Sequence, residues 1–460
     1  MSNTSEYLIL VVVVFTIYLI IGIFPFSKSN RENFLISGRK LGGVSNGFSI
    51  AASKIGGGLL VTYSTLFFAF GWSAIFYFVG IIIGYLLFYL FAFKLVDESK
   101  ERNYYTVADY FSNKFGNKVG IVIGVLTTCS VLGWIFTNLA AGGIILSNIT
   151  DISPFITTSA LALLIGLYLY VGGFASVIKT DVIQYLALLT ITSIFVLVLY
   201  TSDFQTNVIQ VSSAPIGMII GFIFLGILFP MGSGELWQRI YSSKSTREFK
   251  RSLVIASVSY VVLGIFLSII CFQILAVVPS SLLSVKNELK LTLGVEHLVK
   301  NIHPLLPVVW LIAYLSAIIS TADTFVFTAA SSLVQDLLQK SERIKSEEVV
   351  SKIKISIIAL LILGVIIAYF FPDVVSLTFL FVGISLVISS LAYFSRVKKL
   401  EKKKRSFYIS GLIGFFSVLI HFAISGFEAN IITALIGFGT ATICLIFSLV
   451  STKLKIHSPE

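Results

Sequence analysis

Charge is scarce in this chain. Only 12% of its 460 residues are Asp, Glu, Lys or Arg, against about a quarter in soluble domains. That excludes a soluble globular protein. With 57% hydrophobic residues and a mean hydropathy of +0.97, the chain reads as an all-α polytopic membrane protein. Cysteine is scarcer still. Cys129, Cys271 and Cys444 lie inside apolar runs with no pairing or ligand spacing, so neither a disulfide framework nor a thiolate metal site is expected. The histidines His297, His303, His421 and His457 are scattered, and no nucleophile–base pair, zinc spacing or phosphate loop occurs, which argues against an enzyme. The N-terminus lacks the basic region of a signal peptide, so residues 7–25 are expected to remain as a first span.

What the sequence does have is apolar runs nearly end to end. At about 20 residues per crossing, thirteen runs qualify. They are 7–25, 43–70, 72–94, 119–148, 154–172, 181–201, 214–235, 252–278, 303–337, 351–371, 373–395, 406–425 and 430–451. Alternation from an outside N-terminus places 29 of the 33 basic residues in inside loops. Only Lys286, Lys290 and Lys300 fall outside, all in one loop at 279–302. This satisfies the positive-inside rule and predicts an integral protein of the cell membrane with a cytoplasmic C-terminus. It also accounts for the net charge of +11 without a nucleic-acid partner. The run "KKLEKKKR" at 398–405 reads as a solvated loop beside anionic lipid, and no obligate protein partner is evident. The remaining basic residue is Lys54, the one placed within the membrane.

Two spans carry breaks. The second contains "FSIAASKIGGGLL" (48–60), where Lys54 precedes Gly56, Gly57 and Gly58. The seventh contains "LFPMGSGELWQR", with Pro230, Gly232 and Gly234 in mid-run. Proline removes an amide donor and glycine weakens a helix, so both segments are expected to unwind. Glycine also allows close helix packing, but two such breaks five spans apart fit inverted-repeat transporters with a midplane site. The expected division is 1–42 (extra helix and loop), 43–201 and 202–395 (the two repeats), and 396–460 (basic loop and two final helices).

Five stretches carry a family resemblance. In order they are "SGRKLGG" at 37–43, "YTVADYFSNKFG" at 105–116, "YVGGFASVIKTDVIQ" at 170–184, "WQRIYSSKS" at 237–245 and "LSAIISTADTFVFTAASSLVQDLL" at 315–338. Together they resemble the sodium/solute symporter family over residues 5–395, and the last two spans fit its thirteen-span form. The resemblance implies a five-plus-five inverted-repeat, leucine-transporter-like fold and Na+-coupled symport of a small organic solute into the cytoplasm by alternating access. It implies sodium ligands at the hydroxyls of Ser320 and Thr321 and the carbonyls of Ala52, Ile55 and Ala317. Asp181 is implied in a second ion site or in ion release; a helix cap is the other reading. Asp323 and Glu235 rank below it, as partners for a basic neighbour or holders of helix geometry.

Substrate is expected between the two breaks, lined by Ser53, Lys54, Phe229 and Ser233. Lysine is a departure from the family at position 54. An intramembrane charge faces a cavity or a partner, which leaves three functional readings. Lys54 is the counter-charge of an anionic substrate, such as a carboxylate; or it is a surrogate cation or proton carrier in a sodium-independent transporter; or it pairs with an acid such as Asp181 or Glu235. The first is the expectation, because a charged lysine beside a sodium site would repel the ion. A membrane sensor is the alternative of another class. The chain ends nine residues past the last apolar run, so a sensor would need a separate output partner.

Overall fold

The computed structural model describes residues 2–23, 31–202, 212–279 and 284–456. Residues 24–25 of the expected first span, Lys28 and His457 lie outside them. Helix α1 (Ser2–Ile23) and the short α2 (Arg31–Ile36) precede the first broken span, formed by α3 (Gly43–Ala52) and α4 (Gly57–Phe70). After α5 (Phe76–Ala92), two short helices, α6 (Leu95–Glu101) and α7 (Val107–Phe115), fill the predicted inside loop. Then come α8 (Asn117–Thr150) and α9 (Pro154–Thr201). The second broken span is α10 (Ile216–Gly232) with α11 (Gly234–Ser242), followed by α12 (Thr246–Val277) and α13 (Asn287–Val299), which lies in the predicted outside loop. The chain continues through α14 (Leu306–Ser332), α15 (Val349–Phe370), α16 (Val374–Ser395), α17 (Lys404–Ile424) and α18 (Ile431–Ile456). The architecture is all-helical, and a broken span opens each of two five-span runs.

Helix boundaries follow local chemistry. Proline occupies the first turn of α9, where its missing amide costs nothing. Thr106 and Asp109 form a capping box on α7, and Asp373 caps α16 by accepting from the Ser376 amide at 3.1 Å. At 48 residues, α9 is about 72 Å long, more than twice a hydrocarbon core of about 30 Å. It turns at Gly173, whose φ of +58° suits glycine and where a β-carbon would meet Phe34 at 2.6 Å. Among the described residues, nine helices are long and apolar enough to cross a membrane, ten with the bent pair α10–α11. The sequence count of thirteen is reached only by dividing 57–92 and 154–201 at their glycine turns and including α1.

The interior lies where α14 packs against α8 and α9, with α16 on the other side of α8. From Ala313 to Ser332, α14 is buried throughout, hydroxyls included. That burial lets a serine–threonine pair on one helix face a broken helix on another.

Candidate functional site

The first break spans Ser53 to Gly56. Its hydrogen bonds tighten before they fail: Ser53 N–H still reaches back four residues to Ser49 O, while Lys54 N–H and Ile55 N–H reach only three, to Ala51 O (3.2 Å) and Ala52 O (3.3 Å). Helix α4 restarts at Gly57, whose amide donates to Asn138 Oδ1 of α8 at 2.7 Å. Asn138 is itself held by donating to Trp134 O at 2.7 Å. A β-carbon at Gly56 would collide with Thr321 and Asn138, so glycine sets how closely the break approaches α14 and α8. The second break is bent at a proline. Pro230 sits inside the last turn of α10, Ser233 leaves the helix, and α11 departs at 49°.

Lys54 joins the two breaks. Its ammonium donates to Ser233 Oγ at 2.5 Å, forms an ion pair with Glu235, and lies 4.2 Å from the centre of the Phe229 ring. Both charged side chains are buried. Of the three roles open to this lysine, pairing with Glu235 is the arrangement seen.

Ser320 and Thr321 face the end of α3. Ser320 Oγ lies 3.3 Å from Ala52 O and 3.0 Å from Ala317 O, and Thr321 Oγ1 lies 3.2 Å from Ala52 O. Two hydroxyls and two carbonyls thus converge on one point, with Ile55 just beyond in the unwound segment. A hydroxyl that donates to a carbonyl keeps two lone pairs, so this set can ligate a hard cation. Ser53 does not join it. Its hydroxyl turns back to Ile50 O at 3.1 Å.

Asp181 is no helix cap. It lies inside α9, fully buried, because the helix resumes directly after the turn at Gly173, two turns before Asp181. Its Oδ2 accepts from Ser49 Oγ at 2.5 Å and from Arg239 at 3.0 Å. Arg239 also donates to Ser49 Oγ, Thr324 Oγ1 and Glu235 O. This corrects the placement of Lys54 as the lone intramembrane cation, since Arg239, assigned to a loop, is fully buried on α11. A signal was present: Arg239 follows Glu235 by four residues, one helical turn, on the same face. Asp323 accepts from Tyr168 Oη at 2.6 Å and Thr180 Oγ1 at 3.2 Å. Around the breaks, three buried carboxylates (Asp181, Glu235, Asp323) therefore face two buried cations (Lys54, Arg239).

Next to Phe229 lies a cavity of about 50 Å³ walled by Tyr63, Tyr77, Trp134 and Phe379. It is room for a few water-sized groups. Thr62 and Thr378 also line it, and their buried hydroxyls make no hydrogen bond. Of the four expected substrate residues, Phe229 lines this cavity, Lys54 lies over its ring, Ser233 donates to its carbonyl, and Ser53 is turned away.

A family model for the sodium:solute symporter family matches residues 34–394. The chain belongs to that family. It is therefore a sodium-coupled solute transporter and not an enzyme. Sodium/proline symporter 2 of Staphylococcus saprophyticus is 24% identical over 377 residues, covering 76% of this chain and 73% of that protein. The sodium/proline symporter of Staphylococcus aureus (strain Newman) is 22% identical over 392 residues, 80% of this chain and 76% of the relative. Among solved structures, a substrate-bound, outward-open Na+-coupled sialic acid symporter aligns with a TM-score of 0.78 at 17% identity, over 96% of this chain and 95% of its own. A closed nucleobase-cation-symport-1 family transporter aligns at 0.61 and 13% identity, over 92% and 95%. These alignments place the symporter in the leucine-transporter-like fold.

Proposed function

We propose that the symporter binds sodium at Ser320 Oγ, Thr321 Oγ1 and the carbonyls of Ala52, Ile55 and Ala317, and carries a solute without net charge. The observation behind both halves is the Lys54–Glu235 ion pair. A free ammonium about 4 Å from sodium would oppose it by about 4 kcal/mol at intermediate dielectric. Glu235 cancels that charge, so the lysine no longer opposes an entering cation. The same pair withdraws support from an anionic substrate. An anion drawing Lys54 away would leave Glu235 buried and uncompensated, a loss that offsets the gain. The relatives named for proline handle a zwitterion, which also has no net charge.

Binding at the hydroxyl pair would draw α14 against the end of α3. The solute would occupy the cavity at Phe229, with Thr62 and Thr378 offering hydrogen bonds. Because Phe229 also packs on Lys54, filling the cavity and fixing the breaks are one event, which is what coupling requires. Asp181 and Arg239, both bonded to Ser49 one turn before Ala52, are assigned to ion release. The protein is read as a resident of the cell membrane with its N-terminus outside.

The test is uptake into proteoliposomes under an imposed sodium gradient. Zwitterionic amino acids, neutral sugars and carboxylates are compared. Sodium-driven accumulation confined to the first two groups is expected, and Ser320→Ala with Thr321→Ala should raise the sodium requirement at least tenfold, about 1.4 kcal/mol. Uptake indifferent to sodium, or restricted to carboxylates, would overturn the reading.

A further inference from the structure

The membrane-facing surface holds a trench of about 690 Å³ between the first half of α9 and α15. On α9 it runs from Phe155 to Val171, about 24 Å at 1.5 Å per residue, most of the depth of a hydrocarbon core. Its floor is low because Ala162 and Gly166 carry little or no side chain. The two ends differ. At one, Phe155 and Tyr369 close the trench edge-to-face, their ring centres 5.8 Å apart. At the other, Lys354 lies over Tyr170, its ammonium 4.9 Å from the ring centre and 5.7 Å from that of Phe34.

Lys354 belongs to the trench by helical spacing. It precedes Ile358 by four residues and Leu361 and Ile362 by seven and eight, so it lies on the stripe of α15 that forms the wall. It is half-buried and has no carboxylate partner among the described residues. It also stands at the end of the bundle that carries the basic loop before α15. An apolar channel ending in a cation that lies over two aromatic rings and has no carboxylate partner among the described residues is complementary to a lipid with an anionic headgroup. We propose that this trench binds an anionic phospholipid, with an acyl chain laid over Ala162 and Gly166 and the phosphate on Lys354. A neighbouring protein helix would fill the channel equally well but gives no role to the cation. The half of the trench next to Lys354 is about one leaflet deep, as an acyl chain requires. A lipid held here bridges α9 of the first five-span run to α15 of the second, outside the site at the breaks.

The experiment uses the full chain, purified in detergent and delipidated. Dioleoyl phosphatidylglycerol and dioleoyl phosphatidylcholine are added separately, and bound lipid is counted by native mass spectrometry alongside melting temperature. The expected result is a phosphatidylglycerol adduct at least fivefold more abundant than the phosphatidylcholine adduct, with a matching rise in melting temperature. Lys354→Gln should equalise the two lipids and Lys354→Arg should restore the preference. Gly166→Leu should remove the adduct by filling the floor, and Lys352→Gln should change nothing. If a variant melts too low to purify, the lipid preference of the unmutated protein and of Lys354→Arg still decides. Equal binding of both lipids overturns the proposal. So does an equal loss in Lys352→Gln, which would indicate diffuse charge, or a dimer abolished by Gly166→Leu, which would make a second copy the occupant.

Discussion

Lys54 and Glu235 meet across two helix breaks that are 181 residues apart in sequence. Lys54 comes from the unwound segment itself and Glu235 from the first turn of α11, just past the second break, so the pair fixes the two breaks relative to each other. Removing one partner strands a buried charge, at a cost of about 3–5 kcal/mol, whereas removing both leaves none. Lys54→Met and Glu235→Gln should each lower the melting temperature sharply, and the double variant should recover most of the loss. Melting curves of the four proteins form a double-mutant cycle. Additive losses would mean that the two side chains act independently.

Asp181 and Arg239 form the second buried pair, at 3.0 Å. Asp181→Asn keeps the shape of the carboxylate and leaves Arg239 its bonds to Ser49 and Thr324. Arg239 loses its counter-charge, so the melting temperature should fall, and ion handling should suffer as well. We expect slower turnover or a lower Hill coefficient for sodium, with solute affinity within about twofold. Counterflow and zero-trans uptake measured side by side separate the two effects. Unchanged kinetics would assign the pair to structure alone.

Much of this site was legible because backbone breaks leave strong marks: Gly56–Gly58 and Pro230–Gly234 are where the helices open. The serine–threonine pair could be placed on one helix face by its position alone, and the resemblance said what it faced. The partners were harder to see. Glu235 is one of 22 acids in the chain, and nothing local ties it to a lysine in another repeat. Arg239 reads as a loop residue in the sequence because basic residues usually mark helix ends in membranes. Here α11 stays buried and its charge is matched by Asp181. The start of the helical segment after Gly173 is hidden for a related reason: "KTD" reads as a boundary, yet Thr180 and Asp181 point into the protein, toward Asp323 and Arg239.

Outside the spans, Lys340 lies between Asp109 (2.7 Å) and Asp336 (2.8 Å), tying α7 to the end of α14. Burial acts to lower its pKa, but the two carboxylates outweigh that and hold the ammonium above its ordinary value. A raised folded-state pKa means the contribution is full below the unfolded value of about 10.4 and fades only above it. The melting-temperature gap between the unmutated protein and Lys340→Met should therefore be constant from pH 7 to 9 and shrink only in stronger alkali. A gap that closes by pH 8 would show that the ammonium is not held this way.

Asn138 caps the restart of α4 through the Gly57 amide. Replacing a side-chain cap with alanine costs about 0.5–2 kcal/mol. Asn138→Ala should thus lower the melting temperature by a few degrees. It should also weaken sodium-induced stabilisation, because the cap holds the first break beside Thr321. Thermal shift in sodium chloride against choline chloride measures both. A loss of stability with the sodium response intact would confine Asn138 to capping.

Gly56 gives the sharpest test of the assigned ion ligands. Its absent β-carbon is the only reason the break can sit against Thr321 and Asn138 at once. In Gly56→Ala the new methyl group meets the Thr321 hydroxyl and the Asn138 amide, both anchored on long buried helices. The flexible party is the unwound segment, so it is the segment that must retreat. Retreat carries the carbonyls of Ala52 and Ile55 away from Ser320 and Thr321 without removing any ligand. The expected phenotype is a protein that folds, with only a modest loss of melting temperature, and no longer gains stability from sodium. Gly217→Ala is the control, because a β-carbon there meets nothing within 4 Å. If Gly56→Ala keeps the full sodium response, the ion does not lie between the first break and α14, and the five-ligand assignment falls with it.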